Sequence, residues 1–286
     1  MSTYDPFPNL TPDANPAPPD VDPLFVFDFQ AYDDDQHLSN YWELEPLCRG
    51  PKPLPEWVVT DRGALDTELG ILKTGKEGDV FLLEREGEDG SVVMAAKRYR
   101  GEEHRSFHRS SAYVEGRKHR NSRDARAMIR KSAHGRAVAA GQWAWAEWES
   151  LKRLWTLGVP VPYPVQIDGT EILMELITVD GEPAPRLARQ RPGPTLLASY
   201  FDQLREAMVA MSSAGIVHGD LSAYNTLAAG DRLVIIDLPQ VVDLVANPAG
   251  PDFLMRDCHH MCAWFSARGL EVDEHELFGE LLAAAW

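Results

Sequence analysis

No stretch of this 286-residue chain approaches the ~20 apolar residues that a helix needs to cross a bilayer. Its opening, Met1-Ser-Thr-Tyr-Asp-Pro6, has neither the basic nor the apolar region of a secretory leader, so none is expected. Three cysteines, Cys48, Cys258 and Cys262, are too few for a disulfide scaffold and suit a reducing cytoplasm. Cations are scarce. Lys and Arg number 28 against 44 Asp and Glu, and the resulting charge of −16 argues against a general affinity for nucleic acid. There is no internal repeat, and no two glycines anywhere stand two positions apart, so a G-x-G phosphate loop is excluded. What is present is ordinary for a folded protein: 44% hydrophobic and 25% charged residues, in a chain long enough for one large domain or two lobes.

The charge is unevenly spread. Residues 1–50 are rich in Pro, Asp and Asn, with Arg49 as the lone cation, and read as an acidic, mostly disordered tail. Leu24–Phe29 is its one apolar run, a candidate docking segment. Across residues 100–137 the balance reverses. Arg105, Arg109, Arg117, Lys118, Arg120, Arg123, Arg126, Arg130, Lys131 and Arg136 face only Glu102, Glu103, Glu115 and Asp124. This basic flap would attract an acidic partner, ATP or RNA, or else is a solvated insert paired with the acidic tail.

Between these segments, folding is expected from Trp57. A short helix over Asp61–Leu69 precedes Ile71 to Leu83, which reads as strand, glycine turn, strand. Val92–Tyr99 then forms a third strand. The turn at Thr74-Gly75-Lys76-Glu77-Gly78 would let backbone N–H groups approach a phosphate, and Lys97 stands on the third strand. Val138–Leu157 reads as a helix with an apolar face of Trp145, Trp148, Leu151 and Trp155, and with Glu147 and Glu149 as candidate partners for Lys97. A hairpin over Val165–Leu176 leads into a hinge whose backbone would meet a nucleobase. Three helices follow, over Thr195–Ala214, Asp252–Ala267 and Asp273–Ala285. Cys258 and Cys262 share an apolar helical stripe and read as core, not as zinc ligands.

The chemistry concentrates in His218-Gly-Asp220-Leu-Ser222-Ala-Tyr-Asn225, followed by the apolar strand Leu233–Ile236 and Asp237-Leu-Pro-Gln240. A carboxylate, an amide and a second carboxylate in this order make up the Mg²⁺-phosphate end of a protein-kinase-like site. The expected fold is therefore α+β and two-lobed. Its N-lobe (51–177) is an antiparallel sheet with one long helix; its C-lobe (178–286) is small and mostly helical.

With these pieces assembled, the chain resembles the RIO family of atypical serine/threonine protein kinases. Lys73–Val80 is similar to the family's nucleotide loop and Ala95–Tyr99 to its lysine strand. Ala146-Glu-Trp-Glu149 is similar to its glutamate helix, a match that favours Glu149. His218–Asn225, Ile235–Val242 and Phe253–Asp257 resemble its catalytic loop, metal loop and following helix. Asp-Leu-Pro-Gln in place of Asp-Phe-Gly, and no Ala-Pro-Glu, set the chain apart from peptide-clamping kinases. Gly78, where the family favours a small side chain, would loosen the loop.

The resemblance implies Asp220 as base with Ser222 assisting, and Asn225 and Asp237 as metal ligands, with Asp237 also a phosphoryl acceptor. It further implies a nucleotide site of Thr74, Gly75, Lys76, Glu77, Val80, Lys97, Glu149, Met174, Glu175 and Ile177. ATP with Mg²⁺ (Mn²⁺ as the alternative) would be used on a protein hydroxyl, on the chain itself, or as an ATPase switch. Ribosomal RNA or a ribosomal particle would be a partner through the flap. Two other readings compete: a small-molecule hydroxyl kinase of the aminoglycoside or choline type, and a nucleotide-sensing assembly factor with little turnover.

Overall fold

The computed structural model describes residues 36–75, 78–100 and 133–286. The expectations for Leu24–Phe29, for Lys76 and Glu77 and for most of the basic flap lie outside these residues.

Six antiparallel strands form one sheet in the order β1-β2-β3-β4-β6-β5. They are β1 (Gln36–Leu38), β2 (Leu65–Thr74), β3 (Gly78–Gly87), β4 (Gly90–Tyr99), β5 (Pro164–Asp168) and β6 (Glu171–Glu175). Helix α1 (Ala133–Thr156) enters between β4 and β5 and packs on this sheet. The second half of the chain is carried by α2 (Pro194–Ser213), α3 (Gly250–Ser266) and α4 (Glu274–Ala284). Among them lie short hairpins: β7 (Thr178–Val179) with β8 (Glu182–Pro183), and β10 (Thr226–Ala229) with β11 (Arg232–Ile235). A further pair joins β9 (Ile216–Val217) to β12 (Val242–Asp243). The architecture is α+β, an antiparallel sheet lobe beside a mostly helical one. Among the described residues no helix is long and apolar enough to cross a membrane.

The helix expected over Asp61–Leu69 is a turn followed by β2. Local preference yields there to pairing: Leu65–Thr74 runs along β3, and Asp66 is drawn inside to meet Arg85. That pair is bidentate, Nε to Oδ1 at 2.6 Å and Nη2 to Oδ2 at 2.7 Å, with Gln166 accepting a further bond from Nη2. Arg85 and Asp66 are almost fully buried, so each charge depends on the other for its solvation.

Residues 36–50 belong to the folded body and not to a tail. Tyr41 is buried against Leu83, Met94 and Tyr163, and Asn40 donates to Asp168 at 2.7 Å. Arg49 gathers the carbonyls of Trp42 and Leu44, while the indole of Trp148 donates to Leu47 O. Gly50 N–H bonds Val165 O, and a Cβ on Gly50 would fall 2.2 Å from Pro164 O. This strap folds despite its polar composition because two aromatics and one arginine supply the apolar bulk and the donors it needs.

Helix α1 buries Ala140, Ala144, Glu147, Trp148, Leu151 and Leu154, a set at helical spacing. Trp145 falls outside that face and is exposed, in contrast to the apolar face expected for it. The main core runs from this helix through Leu204, Met208 and Met211 of α2 to Cys258, Met261, Cys262 and Phe265 of α3. Both cysteines are core residues. Burial pushes the Cys258 thiol up to about 12 and the Cys262 thiol to about 11, so neither offers a thiolate.

Candidate active site

The sheet and the helical lobe meet at Lys97. Its position on β4 is paired with Val80 of β3 and with Ile172 of β6, so the side chain leaves the middle of the sheet. The ammonium bonds Glu147 Oε1 of α1 and Asp237 Oδ1 of the loop after β11, each at 2.8 Å. Burial works against its charge, but the two carboxylates prevail and hold its pKa well above the ordinary lysine value. Glu147 is the centre of a small network. Its Oε2 accepts from the Tyr99 hydroxyl and its Oε1 also accepts from Leu238 N–H at 3.1 Å.

Glu149, favoured in the sequence comparison as the partner of Lys97, does not reach it. Two positions along an α-helix turn a side chain about 200° around the axis, so Glu147 and Glu149 cannot both face the sheet. Glu149 is half exposed and pairs with Lys152 one turn on. The buried neighbours of Trp148 select Glu147.

Asp237 has φ of +68°, a left-handed backbone that a non-glycine residue adopts at a cost. That turn aims its carboxylate back at Lys97. Burial alone would raise its pKa. The Lys97 charge and hydrogen bond, aided by His218 and Lys73, reverse this and bring it to about 2. About a third of the side chain remains open to the water of the cleft, and Oδ2 is not taken up by Lys97.

The His218–Asn225 turn is pinned from beneath. His218 is buried, with Nε2 against Ile236 O at 3.1 Å and Nδ1 accepting from Asp220 N–H at 3.3 Å. This places the proton on Nε2, and burial, which lowers the pKa, keeps the ring neutral. Asp257 of α3 accepts Gly219 N–H and Leu221 N–H, one on each oxygen, at 2.8 and 2.9 Å. Burial raises its pKa to about 7 against the opposing pull of those two donors. Asn225 Nδ2 donates to Asp220 O at 2.9 Å, which leaves the amide oxygen as an acceptor. Ser222 is extended, and its carbonyl accepts from Thr226 Oγ1 at 3.1 Å. Asp257 and His218 are thus the braces of the turn. The first had no local sequence signal beyond its place in Phe253–Asp257.

Other expected positions are distributed around this centre. Gly75 N–H closes the turn on Gly78 O at 2.9 Å, with Thr74 paired opposite Asp79. Gly78 itself is tightly placed at the start of β3. It is buried, and a Cβ there would fall 2.2 Å from Arg98 O, so close backbone approach requires glycine. Met174 and Glu175 end β6. The Glu175 carboxylate is occupied by Tyr163 N–H at 3.0 Å, and its own N–H bonds Tyr163 O at 2.9 Å. Ile177 turns into a small cluster with Ala184, Ala229 and Val234, and its carbonyl accepts Ala184 N–H at 2.8 Å. It reads as a packing residue of the linker.

Chemically, the amide oxygen of Asn225 and the carboxylate of Asp237 are hard donors that suit Mg²⁺. Among the described residues there is no cluster of three or more metal-binding side chains. Two protein ligands fit a cation that keeps waters and takes phosphate oxygens, and do not fit a closed structural site.

Comparison with known proteins agrees with this geometry. A family model for the RIO domain matches residues 79–277. The RIO-type serine/threonine-protein kinase Rio1 of Haloferax volcanii is 32% identical over 216 residues, covering 76% of this chain and 69% of that protein. Serine/threonine-protein kinase RIO3 of Mus musculus is 29% identical over 254 residues, covering 85% of this chain but only 46% of that protein. The chain therefore spans about half the length of the mouse relative. Among solved structures, the Rio2 kinase–ADP/Mg²⁺–phosphoaspartate complex of Chaetomium thermophilum superposes with a TM-score of 0.52 at 22% identity. It covers 75% of this chain and 63% of that one.

Proposed function

Since this chain belongs to the RIO family of atypical serine/threonine protein kinases, we propose that it transfers the γ-phosphoryl group of ATP, with Mg²⁺, to a protein hydroxyl or to itself. A slow ATPase switch is the same chemistry with water as final acceptor. The observation that carries this reading is Lys97 bound at once to Glu147 and Asp237, beside the braced Asp220–Asn225 turn.

In this reading Lys97, positioned by Glu147, orients the phosphates, and Thr74, Gly75 and Val80 cover them. The linker after Met174 and Glu175 meets the base. Asn225 and Asp237 would hold Mg²⁺, which would supply positive charge to offset that of the phosphates. Asp220 accepts the proton of the attacking hydroxyl. Asp237 is also the candidate acceptor in a self-labelling cycle: an Oδ–P bond forms as the bond from the γ-phosphorus to the departing ADP oxygen breaks. The Rio2 complex with a phosphoaspartate is the precedent for that route. Phosphoryl transfer depends chiefly on positioning and charge stabilisation, which is what this centre is built to give.

We read residues 36–177 as the N-lobe and 178–286 as the C-lobe, and place the protein in the cytoplasm on its three free thiols. The basic residues of 100–137, by charge alone, suit an acidic partner or ribosomal RNA.

The test is incubation with γ-labelled ATP and Mg²⁺. The wild type should become labelled or release phosphate, and Asp237→Ala should do neither. A wild type that does neither overturns the proposal.

A further inference from the structure

Among the described residues, two cations at the cleft, Lys73 and Arg186, have no carboxylate of their own. Lys73 of β2 is the register partner of Val80, and Val80 is the register partner of Lys97. Residues directly opposed in antiparallel strands project to one face. Lys73 and Lys97 therefore share the cleft face of the sheet, two strands and about 10 Å apart. A register shift between Ile71 and Lys73 brings Lys73 into this row, the kind of re-aiming that a bulge provides.

Arg186 approaches from the other lobe. Its backbone bridges to Leu227, and its guanidinium donates to the carbonyl of Tyr224, the residue before Asn225. Lys73, by its register on the sheet, and Arg186, by its bond beside Asn225, thus flank the Lys97–Asp237 pair from opposite lobes. Burial and then the charge of Arg186 pull the Lys73 pKa down. Burial also lowers that of Arg186. The carboxylate that attracts both is Asp237, and its hydrogen bond goes to Lys97. The Lys73 side chain is exposed, only partly desolvated by its surroundings, and has no ion pair among the described residues. Two cations that flank one carboxylate already taken by a third are relieved by an anion placed among them.

We infer that Lys73 and Arg186 are a cross-lobe clamp that closes on the polyphosphate of a bound nucleoside di- or triphosphate, so that the charge of the nucleotide draws the two lobes together. This rests on the nucleotide reading above; it adds Arg186 to it and gives a role to Lys73, which begins the stretch resembling the nucleotide loop but had none. The clamp recognises phosphate and is indifferent to the base, so adenosine should not engage it.

The test is calorimetric titration of Mg²⁺·ADP and, separately, adenosine into the full chain and its Lys73→Met, Arg186→Gln and Arg186→Lys variants. Lys73→Met and Arg186→Gln should each lose about tenfold to a hundredfold in ADP affinity, the worth of one charge-assisted contact. Both should keep adenosine affinity within about twofold, and Arg186→Lys should recover most of the loss. The wild-type ADP affinity should fall with salt more steeply than that of either neutral variant. Because Arg186 also holds the Tyr224 carbonyl, Lys73→Met is the deciding variant.

Unchanged ADP affinity in Lys73→Met, or equal losses for ADP and adenosine, would overturn the clamp while leaving the nucleotide site intact. A wild type that binds neither ligand would overturn the nucleotide reading and the clamp with it.

Discussion

Glu147 and Glu149 differ in one respect that decides their chemistry, the side of α1 they occupy. Glu147→Gln removes the charge that holds Lys97 while keeping one oxygen for Leu238 N–H, so ATP-dependent labelling should slow by about 10- to 100-fold, the scale of a misplaced positioning group. Glu149→Gln, at a half-exposed surface pair, should stay within about twofold in the same assay. Asp257 makes a second residue-scale prediction. Its pKa is raised to about 7, whereas in the unfolded chain it is about 4. Between those values the folded state holds a proton that the unfolded state has lost. The stability this contributes is therefore complete below about pH 4 and is lost as pH rises through about 7. Urea unfolding of the wild type relative to Asp257→Asn should show that gap shifting by up to about 4 kcal/mol between pH 4 and 8. A flat difference would contradict it. These two residues also mark the limit of what the sequence discloses. Lys97, Asp220, Asn225 and Asp237 are legible because they sit in short local patterns that the chemistry demands. In Ala146-Glu-Trp-Glu149 the family match favours Glu149, and only the packing around Trp148 shows that Glu147 is the one facing Lys97. Arg85–Asp66, Asp257 and Arg186 act through neighbours distant in sequence, and no local spacing announces such contacts.

At the scale of elements, the short β7–β8 and β10–β11 hairpins were not readable. The hairpins of the sheet lobe and most helices were, because periodicity and turn residues are properties of contiguous sequence. The C-terminal helix shows why: Asp273 caps it, its carboxylate accepting His275 N–H at 2.7 Å, as its place ahead of an apolar run suggests. β2 was not readable as a strand over its first half, since its conformation is set by β3 and the Arg85 pair. The glycine turn was readable as a turn but not in its tolerance. With a Cβ at Gly78 only 2.2 Å from Arg98 O, Gly78→Ala should push β3 and β4 apart and destabilise the chain by roughly 1–3 kcal/mol. Thermal unfolding measures this; a neutral or stabilising result would show that the strands part easily. A weaker grip on nucleotide should accompany the loss, because Val80 and Lys97 lie in the adjoining register.

Across the whole molecule, the strap of residues 36–50 joins parts that the helical insertion separates: the edge of the sheet, its far strand β5 and helix α1. A chain beginning after residue 50 loses Tyr41 from the core of the sheet lobe and should be less stable than one beginning at residue 36 by roughly 3–5 kcal/mol in urea unfolding. Equal stability would make the strap ornamental. The strap also has a temporal consequence. Asn40 bonds Asp168, 128 positions further along the chain, and Leu47 bonds Trp148, 101 positions further along. At about 5–20 residues per second of synthesis, Asn40 therefore waits roughly 6–25 seconds for its partner to be made. The strap therefore docks in two stages: β1 can pair with β2, and Trp42 can reach Thr60, long before the contacts to Trp148 and Asp168 can close it over the lobe.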